Sequence, residues 1–127
     1  MFVPYNANPV NNHVGDCVIR AVSKVTGKSW EETYAGILLQ GFVMFDMPSA
    51  NRVWGAYLRH IGYVRKEIPN TCPDCYTVED FCRDHPEGSY LLSLDGHVVA
   101  VDSGSYFDTW DSGSEPVIAY FYRKEDK

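Results

Sequence analysis

The first half of the chain carries apolar residues at helical spacing. Such positions follow residues 15–17 every three or four places, which predicts a helix that Asp16 caps and Gly27 ends. Residues 29–32 (Ser-Trp-Glu-Glu) have the form of a capping box and predict a second helix that runs to Gly41. The predicted buried face of this second helix carries Tyr34, Ile37 and Leu38.

Two more helices are predicted before residue 87. Pro48-Ser49 starts a third helix that Gly62 closes, and Thr77 caps a short fourth helix that ends near His85-Pro86. Between these helices, residues 63–68 are predicted as a short strand and residues 69–75 as a loop.

The second half changes to alternating apolar and polar positions. Strands are predicted over 90–94, 97–101, 106–110 and 117–122, and the Asp95-Gly96 pair is typical of a two-residue hairpin turn. Helices followed by an antiparallel meander give an α+β fold. Because apolar residues make up 45% of the 127 residues, the chain is predicted to form one globular domain, 1–127.

The two ends of the chain lack these patterns. Residues 1–14 are rich in Asn and Pro and are predicted to form an irregular arm. Residues 123–127 are charged and predict a frayed tail.

Charge narrows the possible partners. The net charge of −6 repels phosphate backbones, so nucleic-acid binding is not expected. No apolar run is long enough to cross a bilayer, and the N-terminus has no export signal, so a cytoplasmic protein without membrane contact is expected.

The cysteines are the first candidates for chemistry. A cytoplasmic protein rarely forms disulfides, so Cys17, Cys72, Cys75 and Cys82 are all expected as thiols. Cys17 stands alone in the first turn of the first helix, where free backbone N–H groups and the helix dipole favour a thiolate. It is therefore a candidate nucleophile, and the alternative is a small buried residue.

The pairing register of the predicted strands indicates partners for Cys17. If residues 102–105 form the turn, Val101 faces Tyr106, and His97, Asp108 and Trp110 lie on one face of the sheet. Asp108, diagonal to His97, can then orient the imidazole as a general base, while Trp110 shields the pair from water. Asp111 is the nearest rival of Asp108, and a structural histidine is the alternative for His97.

These residues carry a resemblance. Gly15-Asp16-Cys17 at a helix start, the strand from His97 to Val101, and Asp108 followed two places later by Trp110 resemble the papain-like cysteine peptidases. The chain looks particularly like small papain-fold proteins of bacteria and their phages, and its plan is similar to the peptidase domains of bacteriocin exporters. The resemblance implies a papain-like fold, with N-terminal helices packed on a C-terminal antiparallel β-meander.

The resemblance also implies a mechanism. Cys17, His97 and Asp108 would form the catalytic triad, and the attacked bond would pass through a thioester. In the family a glutamine six residues before the nucleophile donates to the oxyanion; here Asn11 stands at that place, with Asn12 next to it. No cofactor is expected.

A second hypothesis is a metal site formed by the other three cysteines. Cys72-Pro73-Asp74-Cys75 followed by Cys82 and His85 has the ligand types of a structural zinc site. Because the spacer between the two pairs is short, a plain loop with buried thiols is preferred and no metal is expected.

Three functions follow from the candidate triad. The first is hydrolysis of a peptide, isopeptide or related amide bond in a peptide or protein substrate. The second is a papain-fold binding or regulatory module without turnover, and the third is acyl transfer with the same triad. The sequence leaves the oligomeric state and the substrate open.

Overall fold

The structure is a computed structural model that describes residues 1–124. This part of the chain contains the four predicted helices and six strands. The helices are α1 (Cys17–Thr26), α2 (Trp30–Met44), α3 (Asn51–His60) and α4 (Val78–Asp84). The strands are β1 (Phe2–Pro4), β2 (Tyr63–Glu67), β3 (Ser89–Leu94), β4 (His97–Asp102), β5 (Ser105–Asp108) and β6 (Ala119–Arg123).

All six strands join one mixed sheet in the order β1-β5-β4-β3-β6-β2. The antiparallel run β3-β4-β5 forms the predicted meander, but β6 pairs with β3 instead of β5, and β2 pairs with β6. The fold is therefore mixed, with helices and a largely antiparallel sheet, in agreement with the α+β class. The expected order of helices first and a simple meander afterwards is too simple, since β1 and β2 complete the two edges.

The N-terminal arm differs from the prediction at its start. Phe2–Pro4 forms β1, which pairs in parallel with β5 and places the Phe2 ring 5.6 Å from the ring of Tyr106. An edge strand tolerates Pro4 because proline lacks only a donor that would face away from the sheet. Three residues are too few for a periodic signal, so the edge of β5 decided this strand.

The C-terminal end also differs. Arg123 belongs to β6 and lies over the ring of Tyr63, and the backbone N–H of Lys124 donates to Gly62. The predicted frayed tail is therefore wrong for residues 123 and 124. Residues 125–127 lie outside the described part of the chain.

Two helices begin where the sequence predicts, because side chains at their N-termini form hydrogen bonds with the backbone. Reciprocal capping boxes form at Ser29/Glu32 and Thr77/Asp80, as predicted. The second helix continues past its predicted end at Gly41 to Met44. Gly41 instead allows a close approach, since a Cβ there would lie 2.7 Å from the carbonyl oxygen of Asp46. Asp16 occupies the N-cap position of α1, but its side chain makes no cap hydrogen bond.

The core lies on both faces of the sheet. Leu91, Val98 and Phe121 pack under α1–α3, while Leu92 and Val99 pack under α4 on the other face. Both faces being covered explains why neighbouring apolar residues on one strand are all buried. Within residues 1–124, no helix has the length and apolar character needed to span a membrane.

Candidate active site

The N-terminus of α1 positions Cys17. Cys17 is the first residue of this helix, half-buried, with Asp16 as the N-cap residue before it. The first backbone N–H groups of a helix have no partner inside the helix, so they point toward this end and favour negative charge there.

The β3–β4 hairpin brings His97 to Cys17. The turn at 95–96 pairs Leu94 with His97, so His97 begins β4, the strand that packs against α1. The imidazole and the Cys17 thiol line the same cavity, and each shifts the pKa of the other. Because Nε2 of His97 is bonded to Asp108, Nδ1 is the ring nitrogen left for Cys17.

Asp108 completes the constellation from the end of β5. Its Oδ2 lies 2.6 Å from Nε2 of His97 and accepts a hydrogen bond from the Ser112 hydroxyl at 2.8 Å. Its Oδ1 accepts from the Thr109 backbone N–H at 2.8 Å, and the residue is 0% exposed. The predicted β4–β5 register is present, with Val101 opposite Tyr106.

Asp111, the rival of Asp108, has other partners. Its Oδ1 accepts from the Tyr106 hydroxyl and from the Gly113 backbone N–H. The carboxylate hydrogen-bonded to His97 is therefore that of Asp108.

The proton equilibria of the three groups are linked. Burial raises the pKa of the Cys17 thiol, but hydrogen bonds from His97 and the Val98 backbone, with the positive fields of His97 and Arg20, outweigh it and leave the pKa below its usual value. Burial lowers the pKa of His97, yet its bonds to Asp108 and Cys17 and their negative charges raise that pKa to about 9. These shifts favour a thiolate–imidazolium pair near neutral pH.

Asp108 stays ionised in this setting. Burial raises the pKa of its carboxyl, but hydrogen bonds from His97 and Ser112, the charge of His97 and the Thr109 N–H bring the pKa below its usual value. A charged Asp108 therefore faces the protonated imidazole.

Trp110 lies beside His97 as expected, but outside the strand predicted to contain it, because β5 ends at Asp108. Its ring centroid is 4.9 Å from that of His97, with 37° between the planes, and the residue is 45% exposed. The indole thus covers one side of the imidazole and keeps its other face in solvent.

Behind the triad lie Arg20 and Trp30, which sequence reasoning missed, and Asp16, which it considered as a helix cap. Arg20 is buried and bonds both Asp16, at 2.8 Å, and Asp108, at 3.0 Å. The second oxygen of Asp16 accepts from Nε1 of Trp30 at 2.8 Å. The spacing of Asp16 and Arg20, one helical turn apart, was the available signal for the first of these contacts.

A cavity of about 710 Å³ opens beside Cys17 and His97, between the helices and the tip of the β3–β4 hairpin. This volume is within the range of small-molecule and peptide-binding clefts. Its wall includes the aromatic side chains of Trp30, Tyr34 and Trp54. Asp16 and His97, its charged residues, are both already paired.

The two predicted oxyanion donors differ in position. Both are exposed, but Asn12 lines the cavity, whereas Asn11 has a left-handed backbone with φ 56° and turns its side-chain oxygen to Asn6. Asn8, which the sequence argument did not consider, also lines the cavity. Its side-chain oxygen accepts from the backbone of Val10 and Asn12, so its NH₂ group remains available as a donor.

The alternative zinc ligands have other partners. Cys72 and Cys75 form a disulfide, against the expectation of free thiols, because the turn brings their Cα atoms to 4.2 Å. Cys82 is buried beside Phe81, and His85 Nδ1 bonds the Phe81 carbonyl. Among residues 1–124, no group of three or more His, Cys, Asp and Glu residues is placed to hold a metal ion.

Comparison with known proteins adds no relative to this picture. No protein-family model, no curated protein and no solved structure matches the chain.

Proposed function

We propose that this chain is a papain-like cysteine hydrolase that cleaves a peptide, isopeptide or related amide bond. The observation that carries the proposal is the hydrogen bond between His97 and the buried carboxylate of Asp108, made by an imidazole that lines the same cavity as the Cys17 thiol. A nucleophile, a base within hydrogen-bond reach and a group that orients the base are the parts that covalent acyl transfer requires.

The arrangement of the elements supports the same family. The nucleophile begins a helix, the base begins a strand of the sheet on which this helix packs, and the carboxylate ends the neighbouring strand. This is the order and the placement that the papain-like resemblance implies.

In the first half-reaction, the Cys17 thiolate attacks the carbonyl carbon of the substrate amide. The backbone N–H of Cys17 and a side-chain NH₂ from Asn12 or Asn8 donate to the oxyanion. Imidazolium His97 gives its Nδ1 proton to the leaving amine, and the C–N bond breaks to leave a thioester on Cys17.

In the second half-reaction, neutral His97 takes a proton from water, and the hydroxide attacks the thioester. The carboxylic acid leaves, the thiolate returns, and the proton taken from water restores the imidazolium. Asp108 remains ionised throughout and holds the ring in orientation.

The cavity wall suggests the kind of acyl group. Since its charged residues are already paired and three aromatic side chains line it, an uncharged, bulky apolar or aromatic group fits it better than a charged one. The net charge of −6 also disfavours acidic substrates.

The test begins with thiol reactivity. Iodoacetamide at pH 6 is expected to label Cys17 in the wild type and in Cys82→Ala, the matched control, and not in Cys17→Ala. Sluggish labelling of Cys17 at this pH would favour a binding or regulatory module instead.

Turnover is then measured with a diverse peptide library and mass spectrometry of the products. Wild type and Cys82→Ala should cleave members of the library, and Cys17→Ala should cleave none while keeping the wild-type melting temperature. If products appear only as hydroxamates when hydroxylamine is added, the same triad serves acyl transfer. Equal cleavage by Cys17→Ala would contradict both reactions.

A further inference from the structure

A buried guanidinium joins the start of α1 to the triad. Arg20 is 4% exposed and lies between two carboxylates, with Nη1 2.8 Å from Oδ1 of Asp16 and Nη2 3.0 Å from Oδ1 of Asp108. The second contact spans 88 positions of the sequence. A buried charge is costly unless it is paired, and each of these two carboxylates supplies part of the compensation.

Arg20 cannot easily leave this place, because its anchor is itself held. Asp16 is buried, and the indole N–H of Trp30 donates to its second oxygen at 2.8 Å. Trp30 belongs to the wall of the cavity beside Cys17. The cavity wall, Asp16 and Arg20 thus form one continuous set of hydrogen bonds that ends at Asp108.

The two oxygens of Asp108 are divided between separate partners. Oδ1 receives Arg20 and the Thr109 N–H, while Oδ2 receives His97 and the Ser112 hydroxyl. Rotation of the carboxylate would break contacts on both oxygens at once. The planar guanidinium holds one oxygen in a defined direction, which an ammonium group cannot do in the same way.

We propose that Arg20, anchored by Asp16, is a positioning residue that holds the Asp108 carboxylate aimed at Nε2 of His97. The inference rests on the proposed function and adds to the triad a guanidinium that is not part of the cavity wall. Its positive charge also acts on the nucleophile, since Arg20 contributes to the lowered pKa of Cys17.

The charge and the geometry of Arg20 can be separated by two variants. Arg20→Met removes both, and Arg20→Lys keeps a positive charge without the fork. Asp16→Asn keeps Arg20 and the size of the anchor but weakens the ion pair. Arg52→Met is the matched control, because Arg52 pairs with Asp46 on the exposed surface.

Two readouts that need no substrate are measured in each folded variant. The rate of Cys17 alkylation by iodoacetamide is followed against pH, and the His97 ring is titrated by NMR, where the bonded Nε2 proton gives a far-downfield signal. Purely structural damage lowers the melting temperature without moving these titrations.

The expected results differ between the variants. Arg20→Met shifts the alkylation curve of Cys17 to higher pH, because a cation that favours the thiolate is gone. Arg20→Lys keeps most of this curve but lowers the pKa of His97 by about one unit, the tenfold effect of a weakened charged hydrogen bond, and broadens the Nε2 proton signal. Asp16→Asn also lowers the pKa of His97, but by less than one unit. Arg52→Met changes neither the pKa of His97 nor the alkylation curve of Cys17.

If His97 titrates in both Arg20→Lys and Asp16→Asn as it does in the wild type, the proposal is overturned, even if Arg20→Met fails to fold. This result is distinct from failure of the proposed function. That failure would be seen in the wild type itself, as a Cys17 that titrates like an ordinary thiol.

Discussion

Nε2 of His97 and Oδ2 of Asp108 are 2.6 Å apart, although eleven positions separate the two residues in the chain. The turn between β4 and β5 produces this contact by pairing Asp102 with Ser105 and Val101 with Tyr106. A slip of one residue would send the Asp108 side chain to the opposite face of the sheet. The register of one short hairpin therefore decides whether the imidazole has a carboxylate partner.

Asp108→Asn tests this contact. The amide keeps the shape but loses the charge, so the pKa of His97 is expected to fall from about 9 toward its ordinary value of 6.5. The thiolate at pH 7 loses its imidazolium, and alkylation of Cys17 at that pH should slow by about tenfold or more. Histidine NMR and alkylation rates measure both effects.

Asp111→Asn is the control for this substitution, because Asp111 bonds Tyr106 and Gly113 instead of His97. It should leave both values unchanged. An unchanged pKa of His97 in Asp108→Asn would show that the carboxylate does not act on the ring.

The rate of hydrolysis should follow a bell-shaped pH profile. Because the pKa of Cys17 is lowered, the acid limb lies below the pKa of about 8.5 of a free thiol. Because the pKa of His97 is raised to about 9, the imidazolium that protonates the leaving group is lost above that pH, and the rate falls. Initial rates on a cleaved library peptide between pH 4 and about 10 check this; a rate that only rises up to the highest pH contradicts it.

The cysteines should divide into three classes by reactivity. Cys17 reacts fast with iodoacetamide, Cys82 reacts slowly because burial raises its pKa, and Cys72 and Cys75 do not react until a reductant opens their disulfide. Peptide mapping after labelling of the native protein, with and without reductant, measures this. Labelling of Cys72 or Cys75 before reduction would contradict the disulfide.

Substitution of two helix glycines by alanine should change the stability of the protein in opposite directions. At Gly36 in α2, a Cβ would lie 2.6 Å from the ring of buried Tyr57, so Gly36→Ala should destabilise the protein by about 1–3 kcal/mol. At Gly55 in α3, the nearest atom is a side-chain nitrogen of Arg59 at 3.6 Å. Gly55→Ala should therefore stabilise the protein by up to about 1 kcal/mol.

Chemical denaturation of the two glycine variants and the wild type measures the free energy of unfolding. Both substitutions give the same gain in helix propensity, so the difference between them isolates the contact with Tyr57. Equal stabilisation by both would mean that α2 and α3 are not packed as closely as described.

Much of the fold could be predicted because its signals are local. The capping boxes at Ser29 and Thr77 start helices from interactions within four residues, and the turn at 95–96 sets the start of β4. The side chains of adjacent strand residues point to opposite faces of a sheet, and Tyr120 and Phe121 are both buried, one in each half of the core.

Other features depend on segments that meet only in the folded chain. The three-residue strand β1 exists because the edge of β5 is open to it, and β6 lies beside β3 because the chain crosses the sheet after residue 108. The sequence predicts free thiols from the cytoplasmic compartment. The disulfide depends instead on the turn that brings Cys72 and Cys75 together.

The amino-acid sequence by itself indicated the local structure around Cys17, His97 and Asp108. A helix start, a tight turn and an alternating strand each depend on residues that are neighbours in the chain. Only the tertiary structure decided what surrounds them. It buried Arg20 between Asp16 and Asp108, and it placed Asn12 but not Asn11 at the cavity. These contacts join residues whose separation in the chain says nothing about their distance in space, because packing brings them together and periodicity does not.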